Sequence, residues 1–213
     1  MRFPTVLAVL ATTALVAACG GTTGGTATTG TTATSAPNTG TGTTGGTGDT
    51  TPNGAPKVKT PLDATKAAAA PCGLLSAAQL QTLGMAGVKG EEDTTALGAA
   101  CGFSDTNGPS GQRVNFTFVA GEGGLDFLYQ SKSTYDLFEP QPPVQGHPAL
   151  LNEPTDDRKD GKCSVVVGLS DTKILTTSVQ MRMGSNPAPR FADPCGVATQ
   201  AADLALTSIK GGS

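Results

Sequence analysis

The sequence predicts an α+β domain in which helices pack on an antiparallel sheet that two disulfides staple. Segments with the two-residue period of strands and segments with the helical period follow one another without strict alternation, which favours this class. The strand patterns of Cys163–Gly168 and Lys173–Met183 flank the turn Ser170–Thr172 and therefore predict a hairpin. Apart from the cysteine near the N-terminus, the chain has an even set of cysteines: Cys72, Cys101, Cys163 and Cys195.

The N-terminus has the layout of a bacterial lipoprotein signal. Arg2 precedes the apolar run Val6–Ala18, whose last residues are small, and Cys19 follows directly. A membrane-spanning helix needs roughly 20 apolar residues, so this run fits the apolar core of a secretory signal instead. We expect a signal peptide over 1–18 and a diacylglyceryl thioether on Cys19 that anchors the protein at the extracytoplasmic face of the cell membrane. The alternative is an ordinary signal peptide with a chance cysteine.

The region 19–70 is predicted to be a disordered tether that begins at the lipid-bearing cysteine. Gly, Thr, Ala and Pro dominate it, so it cannot bury enough apolar surface to offset its ordering entropy. A Gly-rich chain of this length spans about 40 Å on average. The remainder, 71–213, is long enough for one domain. Its ten Lys and Arg against fifteen Asp and Glu give a net charge of −5, which argues against nucleic acid as a partner.

Capping signals and helical spacing predict three helices. Ser76 and Gln79 form a capping box. Leu125, Leu128 and Tyr129 share a face at helical spacing. An Asp-Pro dipeptide supplies an N-cap and a first helical residue near the C-terminus. The predicted helices cover 76–83, 125–133 and 194–209.

Alternating patterns predict five strands. Val114, Phe116 and Phe118 share one face of their strand, and the strand that ends near Met183 alternates over its whole length. Prolines 140, 142 and 143 are expected to break regular structure. The predicted strands cover 100–104, 113–119, 149–151, 163–168 and 173–183.

The four cysteines of the domain are expected to form two disulfides, because cysteines in exported domains are usually oxidised. The hairpin returns the chain from the strand at Cys163 to the helix at Cys195, and a similar path places Cys72 near Cys101. We therefore favour Cys72–Cys101 and Cys163–Cys195, and the rival is Cys72–Cys195 with Cys101–Cys163. The sequence contains no CxxC pair, which argues against a zinc site and against thioredoxin-like redox chemistry.

Five short segments occur in an order that resembles a known family. They are Pro71-Cys72-Gly73-Leu74-Leu75, Ala100-Cys101-Gly102-Phe103, Gly146-His147-Pro148-Ala149, Lys162-Cys163 before three valines, and Asp193-Pro194-Cys195. The order resembles a family of actinobacterial lipoproteins catalogued as a domain of unknown function, over essentially all of 71–209. Phe103 stands where that family frequently has tryptophan. The resemblance implies a cell-envelope lipoprotein and carries over no catalytic residue.

The residues supply no complete catalytic, cofactor or metal set, so we predict that the protein is not an enzyme. His147 is the only histidine, and turn geometry is its expected constraint. The glycine-rich segment 121–124 contains Glu122, which would repel an anion, so we interpret it as a strand-to-helix turn and not a phosphate loop. The acidic segment 156–161 includes two cations, which favours a solvated turn over a calcium site.

Two functions are compatible with these residues. The favoured one is a non-enzymatic domain that binds a protein or wall component at the cell envelope. The alternative is a carrier of an apolar small molecule or lipid in a cavity between the sheet and its helices. Five phenylalanines suit either a cavity lining or an ordinary core: Phe103, Phe116, Phe118, Phe127 and Phe138. A sizeable apolar pocket in the fold distinguishes the two.

Lipidation of Cys19 is directly testable by feeding cells an alkyne-bearing fatty acid. We expect the wild-type protein to be labelled and Cys19→Ala to lose the label, because the sulfur that carries the diacylglyceryl group is removed. A variant with Cys72 and Cys101 both changed to alanine should keep the label. Wild-type labelling of Cys19→Ala would contradict the lipoprotein prediction.

Overall fold

The computed structural model describes residues 49–121, 123–184 and 186–212. Over these ranges one sheet is formed by β1 (Gly90–Thr95), β2 (Gly98–Ser104), β3 (Gln112–Ala120), β4 (Leu137–Val144), β5 (His147–Glu153), β6 (Lys162–Gly168) and β7 (Lys173–Met181). The α-helices are α1 (Thr65–Ala69), α2 (Ala77–Thr82), α3 (Gly124–Gln130) and α4 (Pro194–Lys210). Short 3-10 turns cover Pro71–Gly73, Lys132–Thr134 and Arg158–Asp160.

The predicted architecture, an antiparallel sheet with helices and two disulfides, is confirmed over the described ranges. The predicted signal peptide, Cys19 and the start of the predicted tether lie outside those ranges. Within them, no helix combines the length and the apolar character needed to cross a membrane.

Two antiparallel meanders make up the sheet, whose strand order is β1-β2-β3-β7-β6-β5-β4. The central pair β3 and β7 joins them, in a register that runs from Gln112 opposite Met181 to Ala120 opposite Lys173. The connection that contains α3 carries the chain from β3 to β4 at the far edge. The sheet therefore depends on pairing between strands that are distant in sequence.

One face of the sheet is covered by α4, and the main core lies between them. The predicted alternation is confirmed, because Val114, Phe116 and Phe118 of β3 all belong to this core. α4 begins as predicted, with the Asp193 side chain accepting a hydrogen bond from the Gly196 N–H at 2.9 Å. Small side chains on α4 allow a close approach to the sheet. Its fully buried residues are Val197, Ala198, Ala201, Ala202, Ala205 and Leu206.

The opposite face of the sheet is covered by α3 and by a strap, which we define as residues 49–58. The Val58 N–H donates a hydrogen bond of 3.0 Å to Asp171 Oδ1, which fastens the strap to the turn between β6 and β7. A second, smaller apolar cluster forms on this face from Ala55, Leu125, Leu128, Leu150, Val166 and Ile174. The sheet is therefore apolar on both faces.

The folded part of the chain begins before Pro71, which corrects the predicted boundary between tether and domain. Ala55, Ala64 and Ala67 are at most 4% exposed, and α1 packs against β2. The segment 49–70 has few large apolar residues, as the sequence analysis noted. It is ordered all the same, because its small side chains fit against large apolar surface that the sheet supplies.

Both edges of the sheet differ from the prediction. The polar sequence of β1 gave no strand signal, and its pairing with β2 is a backbone interaction. β4 contains Pro140, Pro142 and Pro143, which were expected to break regular structure. An edge strand tolerates proline because the missing N–H faces away from the partner strand. The register against β5 shifts between Gln141 and Val144, where two of the prolines lie.

The predicted helix boundaries hold at α2 and differ at α3. The Ser76 side chain accepts a hydrogen bond from the Gln79 N–H at 3.3 Å, and the Ser76 N–H donates to Gln79 Oε1 at 2.8 Å. This geometry confirms the capping box. α3 ends at Gln130, before the predicted end at Ser133, and a 3-10 turn follows.

Two disulfides tie helical segments to the sheet. Cys72 in the turn Pro71–Gly73 is bonded to Cys101 of β2, and Cys163 of β6 is bonded to Cys195 in the first turn of α4. These are the pairs that the sequence analysis favours. The second bond fixes the start of α4 to the strand on which the helix packs.

The two disulfides should contribute similar stability, because they close loops of similar size, with sequence separations of 29 and 32. We expect Cys72→Ala with Cys101→Ala, and Cys163→Ala with Cys195→Ala, each to lower the free energy of unfolding by about 3–4 kcal/mol in denaturant titrations. Non-reducing peptide mapping of the wild type is the companion measurement. A Cys101–Cys163 peptide would overturn the pairing.

Candidate functional site

An apolar groove lies on the sheet face that α4 does not cover. Three adjacent strands build its floor, and the strand alternation that buries Val165 and Leu175 beneath α4 turns their neighbours towards the groove. The floor residues are Val119 of β3, Ile174 and Thr176 of β7, and Ser164 and Val166 of β6.

The side walls of the groove carry exposed apolar side chains. Phe127 and Leu128 of α3 line it together with Tyr135, and Leu97 lines it from the turn between β1 and β2. Phe127 is 56% exposed and Leu97 is 63% exposed. Among the residues that the structure describes, only Met183, at 52%, is a further exposed large apolar side chain. Exposed apolar surface is therefore concentrated at the groove.

The groove has a volume of about 540 Å³, which lies within the range of roughly 300–1,000 Å³ typical of small-molecule sites. It is a surface groove between α3 and the sheet, and the alternative function predicted from the sequence placed a cavity between the sheet and its helices. Of the five phenylalanines considered for a cavity, Phe127 alone lines it. Phe103, Phe116 and Phe118 belong to the main core, and the Phe138 ring contacts two tyrosine rings.

Polar groups in the groove include Asn152, Glu153 and Ser164, which lie on β5 and β6. The Nδ2 atom of Asn152 is buried and has no hydrogen-bond partner among the described residues. Burial raises the pKa of the Glu153 carboxyl above its usual value, a hydrogen bond with Ser164 opposes this rise, and the negative charge of Asp157 adds to it. The positive charge of Lys162 lowers the pKa of Glu153, and this is the weakest of the four effects.

The position of α3 depends on a close approach to the turn between β6 and β7. Gly124 has a φ of +51°, and a Cβ atom there would lie 2.6 Å from the Asp171 carbonyl oxygen. Only glycine fits this conformation without strain. The glycine-rich segment 121–124 thus acts as the strand-to-helix turn that the sequence predicts, and two of its glycines, Gly121 and Gly124, line the groove.

Asp126 joins α3 to the strap. Its carboxylate accepts hydrogen bonds from the Thr51 hydroxyl, from the Asn53 N–H at 2.9 Å and from Asn53 Nδ2 at 2.8 Å. Burial acts to raise the pKa of Asp126, but the hydrogen bonds from Thr51, Asn53 and the Ala55 backbone together outweigh it and hold the pKa below its usual value. The groove wall is therefore held partly by an ionised side chain.

His147 has a structural place in the fold. It is 3% exposed, and its Nδ1–H donates a hydrogen bond of 3.0 Å to the Gly168 carbonyl of the neighbouring strand. Burial lowers the pKa of His147 below its usual value, which favours the neutral imidazole. The side chain does not line the groove.

The acidic segment 156–161 forms a turn whose carboxylates face cations. Asp156 accepts two hydrogen bonds from the Arg158 guanidinium, at 2.6 and 2.8 Å, and Asp157 pairs with Lys162 at 3.1 Å. No group of three metal-ligating side chains that could hold an ion occurs in the described ranges.

The sequence contained one signal for the groove that the prediction did not use. Val165, Val166 and Val167 are consecutive apolar residues, and such a run indicates a strand that is buried on both faces. The side chain of Val166 therefore requires a cover on the face opposite α4, and α3 supplies only part of it. Asn152 and Leu97 gave no comparable signal.

The hydrogen bonds of Asp126 predict a loss of stability in acid. Because the folded-state pKa lies below that of an unfolded aspartate, the stabilisation is complete above the unfolded pKa of about 3.9 and is lost as the pH falls through the folded pKa. We expect Asp126→Asn to lower the free energy of unfolding by about 1 kcal/mol at neutral pH and to flatten its fall in acid. Asp203→Asn, at an exposed position of α4, is the matched control. Equal pH profiles for wild type and Asp126→Asn would contradict this.

Comparison with known proteins assigns the chain to a family. No curated protein and no solved structure matches it. The model of one family, described as "Protein of unknown function (DUF3558)", matches residues 14–208. This match includes every strand of the sheet and most of α4. The chain therefore belongs to the DUF3558 family of proteins of unknown function.

Proposed function

We propose that this protein is a membrane-anchored binding protein that holds an apolar small molecule in the groove, on the extracytoplasmic side of the membrane. The observation that carries the proposal is the concentration of exposed apolar side chains, Leu97 and Phe127, around a groove of about 540 Å³. Water contact with these side chains is unfavourable, and a bound apolar molecule removes it.

The location in the proposal rests on the sequence. The apolar run before Cys19 and the resemblance to actinobacterial lipoproteins both support a lipid anchor. In this arrangement the folded domain stands at the outer face of the cell membrane, where apolar molecules enter and leave the bilayer.

The shape of the site favours a small molecule over a protein partner. A stable protein interface buries roughly 800 Å² on each partner and has a broad apolar centre. Here the exposed large apolar side chains in the described ranges are few, and those at the groove surround a concave space. A concave, largely apolar space with a few polar groups is the usual form of a small-molecule site.

The chemistry of the lining supports binding without catalysis. The described residues that line the groove include neither histidine nor cysteine, and the neighbour of the Ser164 hydroxyl is the Glu153 carboxyl. A serine nucleophile needs an adjacent base that is in turn held in position by a third group. The proposed role is therefore capture and release of an unmodified ligand.

Fluorescence titration with Nile red, an uncharged apolar dye, tests the proposal. We expect saturable binding by the chain that carries Cys19→Ala, a background that removes attached acyl chains as competitors for the dye. Phe127→Ser and Leu97→Ser should each weaken binding by about tenfold, since each removes apolar surface that the dye covers.

Met183→Ser is the matched control, because Met183 is similarly exposed but does not line the groove. The Met183→Ser variant should bind the dye as tightly as the Cys19→Ala chain without further changes. Absence of saturable binding, or equal losses in all three variants, would overturn the proposal. Tight binding of a protein from the cell envelope that Phe127→Ser abolishes, without dye binding, would assign the groove to a protein partner instead.

A further inference from the structure

We propose that the groove selects an uncharged amphiphile, with an oxygen acceptor at one end of an apolar body that accepts a hydrogen bond from Asn152 Nδ2. This inference rests on the proposed function and adds the chemical class of the ligand to it.

The unpaired amide of Asn152 is the first observation. Its Nδ2 atom is buried and lacks an acceptor among the described residues, although the residue lines the groove. Most buried polar atoms in folded proteins have a partner, because a buried donor without one loses its hydration and gains nothing. Because Asn152 lines the groove, a rotation of its side-chain amide brings this donor to an acceptor on a bound molecule.

The neighbouring charges restrict that acceptor. Glu153 lines the same groove one residue further along β5, and Asp157 lies near enough to affect it electrostatically. The nearby cation Lys162 is paired with Asp157 at 3.1 Å. A carboxylate or phosphate on the ligand would therefore approach the Glu153 carboxylate without a free cation to offset the repulsion.

A cationic headgroup does not suit the site either: the Glu153 carboxylate attracts it, but both charges lose hydration in the groove and the Asn152 N–H still lacks an acceptor. An ammonium group has donors and no acceptor, so it cannot satisfy the Asn152 N–H. A carbonyl, ether or hydroxyl oxygen can accept from that donor and carries no charge for Glu153 to repel. The floor residues Val166 and Ile174, with Phe127 of the wall, supply apolar contact for the rest of the ligand.

Replacement of the amide separates a binding role from a structural one. Leucine has nearly the shape of asparagine and no polar atoms, so Asn152→Leu removes a buried unpaired donor. The ligand-free variant should unfold at a temperature equal to or above that of the wild type. A side chain that stabilises the fold would give the opposite result.

The experiment is displacement of Nile red from the Cys19→Ala chain at about pH 8, where decanoate is ionised. The competitors are methyl decanoate, decanoate and decylammonium, which share an apolar chain and differ at the headgroup. We expect the ester to displace the dye at a concentration about tenfold lower than either charged compound. Asn152→Leu should weaken ester binding about tenfold, after correction for any change in dye affinity, while binding of dodecane, which has no acceptor, stays within twofold.

A second variant, Glu153→Gln, tests whether the carboxylate charge excludes anionic ligands. It should bring decanoate to within about threefold of the ester, because the repelling charge is gone. Equal displacement by all three competitors, or ester binding that Asn152→Leu does not weaken, would overturn the inference while the proposed function stands. Failure of Nile red itself to bind would instead overturn the proposed function.

Discussion

The packing of α4 on β6 and β7 is the interaction on which the rest of the structure depends. The buried face of this helix is rich in alanine, so the helix lies close to the sheet and the strands beneath it contribute the large side chains. The Cys163–Cys195 bond fixes the start of the helix to one of these strands. In the part of the chain that the structure describes, a single long helix accompanies a seven-stranded sheet. One face of the sheet is therefore well covered, and the other has to be covered by shorter pieces.

The groove follows from this unequal cover. β6 is apolar on both faces, and the second face receives only the seven-residue α3 and the strap. Asp126 and Asp171 hold these two pieces to each other and to the sheet through hydrogen bonds. They cover Leu150 and nearly all of Val166 but leave a space beside α3 that Phe127 and Leu97 border. The position of the groove is thus set by the length of α3.

The sequence was sufficient to predict those elements that are specified by motifs of a few neighbouring residues. The capping box at Ser76, the Asp-Pro start of α4 and the alternation in β3 and β7 each act over a few residues, and each prediction is confirmed. The edges β1 and β4 were missed because pairing with a neighbour overrides a polar or proline-rich sequence there. The strap was taken for tether because its order comes from the surface beneath it.

The candidate site was the least predictable part, for a related physical reason. A groove is a property of how elements meet, so Leu97 from one hairpin and Phe127 from α3 join it without any shared motif. The run of three valines in β6 indicated an apolar second face, but only the structure gives the extent of its cover. The phenylalanines of the main core, such as Phe116, are indistinguishable by residue type from the one that lines the groove.

The proposed binding site accounts for two residues that the fold leaves unexplained. Serine or threonine at position 127 would relieve the exposure of the phenylalanine, and an apolar residue at position 152 would remove the unpaired donor, so the fold alone gives no reason for either Phe127 or Asn152. Both line the same groove, although one lies on α3 and the other on β5. A ligand with an apolar body and an oxygen acceptor satisfies both at once. Under the proposed function, the partial cover of the second sheet face is the feature that provides the binding site.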